Sequence, residues 1–289
     1  MKKLLSITFL FSSLVCAQEN FIWVDFNTSM QADSYKHILE KNNNMMLKNF
    51  FERLYNLFSP ARIVPTSVRI PKIIHQIWLG SPFPEKYRAY QESWLKHNPG
   101  WEYKLWTDAD VASFAWRNKD LFDASKNYGE KSDIWRYEIL EQFGGIYIDT
   151  DFECLKSMNS LCIYDFYTGI QPLDTNMVQL NNALIASIPH HPLLQKCIEE
   201  LRNSSHEIQI ILRTGPLFFT KLFLKYVPSM MQEFRIVAFP ASYFYPCGYE
   251  QRGTPASEWQ KPESYAVHHW AGSWLKKEAF VQLRSAEYV

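Results

Sequence analysis

Lys131–Glu153 reads KSDIWRYEILEQFGGIYIDTDFE, and this block decides the fold. From Ser132 to Phe143, the residues Ile134, Trp135, Ile139, Leu140 and Phe143 recur at helical spacing and make one apolar side. Gly144 or Gly145 ends that helix, because glycine turns into the left-handed region without a steric penalty. Ile146-Tyr147-Ile148 follows as a short buried strand and delivers Asp149-Thr150-Asp151 at its carboxyl end. A helix feeding a strand in this way is half of an α/β unit.

Working outward, the same rhythm continues on both sides. Lys72–Leu79 (KIIHQIWL) is apolar and β-branched and stops at Gly80, as a buried strand does. Pro84–His97 predicts a helix closed by Asn98-Pro99-Gly100, and Trp101–Trp106 a second strand. Thr107 or Asp108 caps a further helix through about Asn118. Downstream, Asn181–Ser187, Arg235–Phe239 and Tyr265–Trp270 predict strands, and Pro192–Asn203 and Gly215–Tyr226 helices. The alternation predicts an α/β sandwich with a mostly parallel central sheet flanked by helices. Pro240–Pro262, long and aromatic, reads as a lid or acceptor-facing loop.

The amino-terminal part differs. Met1–Gln18 (MKKLLSITFLFSSLVCAQ) has a basic start, an apolar run and small residues at its end, the pattern of a signal peptide over residues 1–17. An uncleaved buried strand or helix and a short signal-anchor are the alternatives, with peripheral membrane association a further expectation. Residues 18–66 read as a partly separate helical segment with a linker from Ser59 to Thr66. In that segment Met46, Phe50, Leu54 and Leu57 form an apolar stripe. The main domain then spans residues 67–289. Export leaves Cys154, Cys162, Cys197 and Cys247, for which disulfides and buried free thiols are both open.

Composition narrows the function. The chain has 289 residues, with 30 basic against 30 acidic. That balance excludes a nucleic-acid partner held by bulk charge. Aromatics at 16% supply a large core and surfaces on which planar or sugar rings stack.

Asp149 and Asp151 carry the chemistry. Residues i and i+2 of an extended segment point the same way, so both carboxylates face the crevice at a strand end where open α/β sheets bind ligands. Two hard oxygen donors on one side suit a divalent cation such as Mn2+ or Mg2+. A second Asp-x-Asp, Asp108-Ala109-Asp110, stands at a predicted helix start, where capping explains it. Asp133 and Arg136, three apart, share a helix face as a surface ion pair or as a sugar-binding carboxylate beside an oxygen-binding guanidinium. Trp78 is either core or a stacking surface for a base. His268 and His269 point opposite ways in a strand, so at most one faces a given site.

Taken together, Ile70–Gly80 (IPKIIHQIWLG), Lys131–Glu153, Asn181–Ser187 (NNALIAS) with His191-Pro192, Thr214–Pro216 (TGP) and Tyr265–Trp274 (YAVHHWAGSW) resemble glycosyltransferase family 32. The central block is also similar to the large clostridial glucosylating toxins. The resemblance implies a GT-A fold, a nucleotide-diphosphate sugar donor, a divalent cation, retention of anomeric configuration, and a glycan or protein acceptor. It implies that Trp78 stacks on the base, and that Asp133 and Arg136 hold the donor sugar. Asp149 would contact the ribose and the metal shell, Asp151 would ligate the metal, and Asn182 would approach the transferred sugar. His268 would be the third protein group at the metal or diphosphate, and Ser273 and Trp274 would close over the diphosphate. The chain departs from the toxins in carrying His268-His269 where they have an acidic residue. A secreted effector that glycosylates host protein, and a non-catalytic carbohydrate- or nucleotide-binding protein, are the alternatives. The expected location is the secretory pathway, in the Golgi or ER lumen of a eukaryote, or secretion from a bacterium.

Overall fold

A computed structural model describes residues 21–41, 43–63 and 67–272. The signal reading, part of the linker, and Ser273 and Trp274 lie outside the described residues. The strands are β1 (Ile73–Ile77), β2 (Glu102–Trp106), β3 (Gly145–Ile148), β4 (Phe152–Cys154), β5 (Phe166–Ile170), β6 (Leu180–Ser187), β7 (Ile236–Phe239) and β8 (Ala266–His268). Six of them form one sheet in the order β2-β1-β3-β6-β5-β7, and β4 pairs with β8 in a separate ribbon. Within the six-stranded sheet only β6 runs against its neighbours, β3 and β5, while that sheet's other pairs are parallel. The expected mostly parallel sheet is therefore present.

The helices are α1 (Phe26–Ser29), α2 (Lys36–Leu39), α3 (Asn44–Leu57), α4 (Arg88–His97), α5 (Lys119–Ala124), α6 (Tyr128–Phe143), α7 (Pro192–Glu200), α8 (Ile210–Arg213), α9 (Pro216–Met230) and α10 (Ala256–Trp259). The central helix α6 begins where the Asn127 side chain accepts the N–H groups of Gly129 at 2.8 Å and Glu130 at 3.2 Å. It ends at Gly144 (φ 63°), and Gly145 (φ 92°) starts β3. A Cβ on Gly145 would stand 2.6 Å from the Ile73 carbonyl of the neighbouring strand, so the junction has room for glycine alone. The stretch of α6 from Asp133 to Glu141 is buried throughout, polar residues included. Glu138 survives there because it accepts the backbone N–H groups of Arg117 and Asn118, and Glu141 because it pairs with Arg117.

Several expectations need correction. The helix expected from Thr107 to Asn118 stops after one turn, Asp108–Asp110. Thr107 and Asp110 do cap each other, but Phe114 and Trp116 turn inward against Trp106 and Trp135. Aromatic burial there outweighs local helix preference. The stripe on α3 is also displaced. Phe51, Leu54 and Tyr55 are buried, whereas Met46 and Leu57 are 63% and 40% exposed. Through those residues the segment joins the same core as the sheet and packs on β7, so its packing is not separate. The Tyr55 ring stacks on Trp23 at 3.7 Å and its hydroxyl meets that of Tyr243 at 2.8 Å. Tyr243, Phe244 and Tyr245 are core residues, so the first part of the expected lid is interior. The four cysteines are buried free thiols, with burial pushing Cys154 and Cys162 up to about 12.

Candidate active site

Two buried clusters meet at the carboxyl end of β3. The first is built on α6. Arg136 lies with its guanidinium 3.0 Å from Asp133 and 3.3 Å from Asp149, donates to the Asn182 carbonyl at 2.7 Å, and covers the Tyr147 ring at 4.4 Å. Asp133 accepts from the Asn182 amide at 2.8 Å and from the Thr214 hydroxyl at 3.0 Å. The Tyr147 hydroxyl meets Ser132 at 2.9 Å and donates to Asp149 at 2.7 Å. Asp133 and Arg136 are thus a buried pair at the heart of a network, not a solvated surface pair.

The second cluster is built on the β4–β8 ribbon. Antiparallel pairing sets Phe152 opposite His268. The His268 imidazole lies flat against the Phe152 ring, with centroids 4.6 Å apart and planes at 10°. Its Nε2 stands 3.1 Å from Asp151 Oδ1, and its Nδ1 is buried without a partner. Asp151 Oδ2 accepts the Ala271 N–H at 2.8 Å. His269 points the other way, as alternation requires, and reaches Glu153 at 3.0 Å while stacking on Tyr90.

The carboxylates titrate according to these surroundings. Burial pushes Asp133 up to about 6, with Arg136 opposing and Asp149 adding like charge. Burial raises Asp149 too, against Arg136 and with Asp151. Asp151 is also buried, but His268 and the Ala271 N–H hold it below the usual carboxylate range. Asp133, Asp149 and Asp151 against the single Arg136 leave the crevice with formal negative charge.

The donor set fits a hard or borderline dication. Asp149, Asp151 and His268 each present one ligand atom, all within 4.8 Å of one another. Neighbouring ligands of an octahedral ion with bonds of about 2.1 Å stand about 3 Å apart, which matches the Asp151–His268 separation. Two carboxylates and one imidazole suit Mn2+ as well as Mg2+.

Trp78 follows β1, the strand beside β3, and is half-buried. Its indole N–H meets Ser81 at 3.0 Å and its ring leans on Tyr87 and Phe83. The next turn is held by Asp108, which accepts the Gly80 N–H at 2.8 Å. One aspartate of the second Asp-x-Asp therefore shapes the edge of the crevice, while Asp110 caps. Asn182 is buried with its amide turned to Asp133 and Tyr137.

Thr214, Tyr147 and Gln76 are given no site role by the sequence analysis. Gln76 donates to the Asp149 carbonyl at 3.3 Å. Tyr147 was the findable one, since it sits two residues before Asp149 on the same side of the strand. Gln76 and Thr214 lie in segments that carry the resemblance, Ile70–Gly80 and Thr214–Pro216, but their spacing gives neither a role of its own.

Residues 84–167 match the family model described as the glycosyltransferase sugar-binding region containing the DXD motif. Over that segment the chain is similar to DXD-motif glycosyltransferases. Among its relatives, inositol phosphoceramide mannosyltransferase 2 of Schizosaccharomyces pombe is 34% identical over 54% of this chain and 47% of that protein. An uncharacterized glycosyltransferase of Acanthamoeba polyphaga mimivirus is 28% identical over 71% of this chain and 84% of that one. The chain spans about half the length of the fission-yeast mannosyltransferases it matches, 47% and 56%. By structure, the chain aligns with the catalytic domain of alpha-toxin from Clostridium novyi at a TM-score of 0.51 and 10% identity, over 89% of this chain and 92% of that one. The fold is of the GT-A type. Among the described residues, no helix is long and apolar enough to cross a membrane.

Proposed function

We propose that the protein is a metal-dependent retaining hexosyltransferase that moves a sugar from a nucleotide-diphosphate donor to a hydroxyl of a glycan or other acceptor. The observation that carries this reading is the convergence of Asp149, Asp151 and His268 at the end of β3, beside the buried Asp133–Arg136 pair. These three residues would hold Mn2+ or Mg2+, which when bound offsets the charge of a diphosphate leaving group. Arg136 adds a fixed positive charge that needs no reorganisation, because five contacts already hold it. Trp78 offers a half-exposed face to the base. Asp133 and Asn182 line the donor-sugar side, and Ser273 and Trp274 would close over the diphosphate.

Asp133 is tied to Arg136, Asn182 and Thr214, which disfavours it as a nucleophile for double displacement. A front-face route therefore suits retention, with a leaving-group oxygen taking the acceptor's proton. The fission-yeast relatives are named for mannose transfer to inositol phosphoceramide. From them we carry a hexose as the transferred group and a hydroxyl-rich headgroup as one acceptor class. Residues 67–289 form the transferase unit in this reading, residues 18–66 are the amino-terminal segment whose helix α3 packs on β7, and the leader directs it to the secretory pathway.

The test is donor hydrolysis and transfer across uridine- and guanosine-diphosphate sugars with and without Mn2+. Transfer that needs the metal and disappears in Asp151→Asn, with the circular dichroism spectrum kept, is the expected result. Donor binding with the same affinity after chelation sinks the proposal.

A further inference from the structure

We propose that Trp270 is the positioning residue of this metal centre, setting both His268 and the Ala271 N–H against Asp151. The inference rests on the metal reading above and adds a residue that neither the motif nor the resemblance assigns. Trp270 has φ 51°, a left-handed backbone that a bulky L-residue rarely adopts. Glycine would occupy that position without strain, so a tryptophan held there points to a task for its side chain.

The contacts show the task. The indole N–H donates to the Cys247 carbonyl at 2.8 Å, and the Trp270 carbonyl accepts from Arg252 at 3.3 Å. So anchored, the ring lies 4.3 Å from the His268 ring, which has Phe152 at 4.6 Å and Tyr245 edge-on at 5.8 Å. Three aromatic rings thus box the imidazole and leave its Nε2 facing Asp151. The left-handed turn has a second effect. It follows the His269 N–H, which reaches the Asp151 carbonyl at 3.0 Å, and brings the Ala271 N–H back to Asp151 Oδ2 at 2.8 Å. One residue therefore fixes the ring of one ligand and the carboxylate plane of the other.

The test is Mn2+ binding to the metal-free protein, read from the electron paramagnetic resonance of free Mn2+, beside the thermal melting temperature. Trp270→Gly relieves the turn and removes the ring. Trp270→Leu keeps apolar bulk but not the ring or its N–H. Both are expected to lower Mn2+ affinity at least about 10-fold, the scale of losing an outer-shell partner. Both should also weaken the nitrogen modulation that a bound histidine imparts to the Mn2+ echo, which a general packing defect would not single out. A Trp270→Leu protein that melts with the wild type and binds Mn2+ as tightly, with unchanged nitrogen modulation, overturns the assignment whatever Trp270→Gly does. Asp151→Asn is the control. If it also binds Mn2+ as the wild type does, the metal reading itself has failed.

Discussion

Asp151 and His268 are 117 residues apart in the chain and stand 3.1 Å apart in the fold, carboxylate Oδ1 to imidazole Nε2. The contact joins the end of the central strand to the β4–β8 ribbon. It supplies the only imidazole in the carboxylate cluster among the described residues.

His268→Gln keeps a hydrogen-bond donor for Asp151 but removes the ring from its aromatic box. We expect Mn2+ affinity to fall at least about 10-fold, with the melting temperature changed little. Calorimetric titration of Mn2+ into the metal-free protein checks this, and an unchanged binding isotherm would exclude His268 as a ligand.

Arg136→Lys retains the charge and loses the planar fork that meets Asp133, Asp149 and the Asn182 carbonyl together. Leaving buried carboxylates short of a partner costs on the order of 3–5 kcal/mol when the partner is removed outright, so the lysine should cost a sizeable part of that. Transfer should drop about 100-fold or more. Urea unfolding and initial rates measure the two losses. A variant as stable and active as the parent would show that the fork is dispensable.

Gly145→Ala tests the helix–strand junction. The left-handed φ alone should cost at least about 1 kcal/mol. Gly253 provides the reference, because its φ is 81° and a Cβ there would meet nothing within 4 Å. Gly145→Ala adds a 2.6 Å approach to the Ile73 carbonyl, so it should unfold at clearly lower urea than Gly253→Ala. Equal midpoints would mean that β1 and β3 separate freely.

His75 gives a pH signature. Its Nε2 meets the Gly144 carbonyl at 2.9 Å and its Nδ1 accepts the Trp106 indole N–H at 3.1 Å, a pattern that assigns the neutral ring. Burial lowers its pKa to about 4, so below pH 6.5 the unfolded chain takes a proton that the folded one refuses. Its contribution is full above pH 6.5 and is lost as pH falls toward 4, an effect of about 3 kcal/mol. Asp133, raised to about 6, works in the opposite direction over part of that range. Comparing His75→Gln with the parent by urea unfolding at pH 7 and pH 5 isolates the histidine. The variant should lose less stability on acidification.

Much of the site was legible because it is compact in sequence. Asp133, Arg136, Asp149 and Asp151 belong to one helix–glycine–strand block whose periodicities change where the chain turns. What stayed hidden depended on distant partners. β4 has three residues and finds β8 more than a hundred positions later, so no local pattern announces it. β5 is buried on both sides and carries Gly169, which hides its alternation. Thr107–Asn118 misled because its cap is real while its aromatic residues are claimed by the core. The α3 stripe misled because Met46–Phe50–Leu54–Leu57 and Phe51–Leu54–Tyr55 are overlapping helical faces that share Leu54, and only the position of β7 chooses between them.

The β4–β8 pairing also sets an order of events during synthesis. A nascent chain exposes Asp149 and Asp151 long before the imidazole that completes their cluster leaves the ribosome. Until the last ribbon strand docks, the acidic pair has neither its aromatic-boxed partner nor the backbone N–H of Ala271. The acidic pair therefore gains its imidazole only after β8 has been made and has paired with β4, and a chain in transit carries the pair without it.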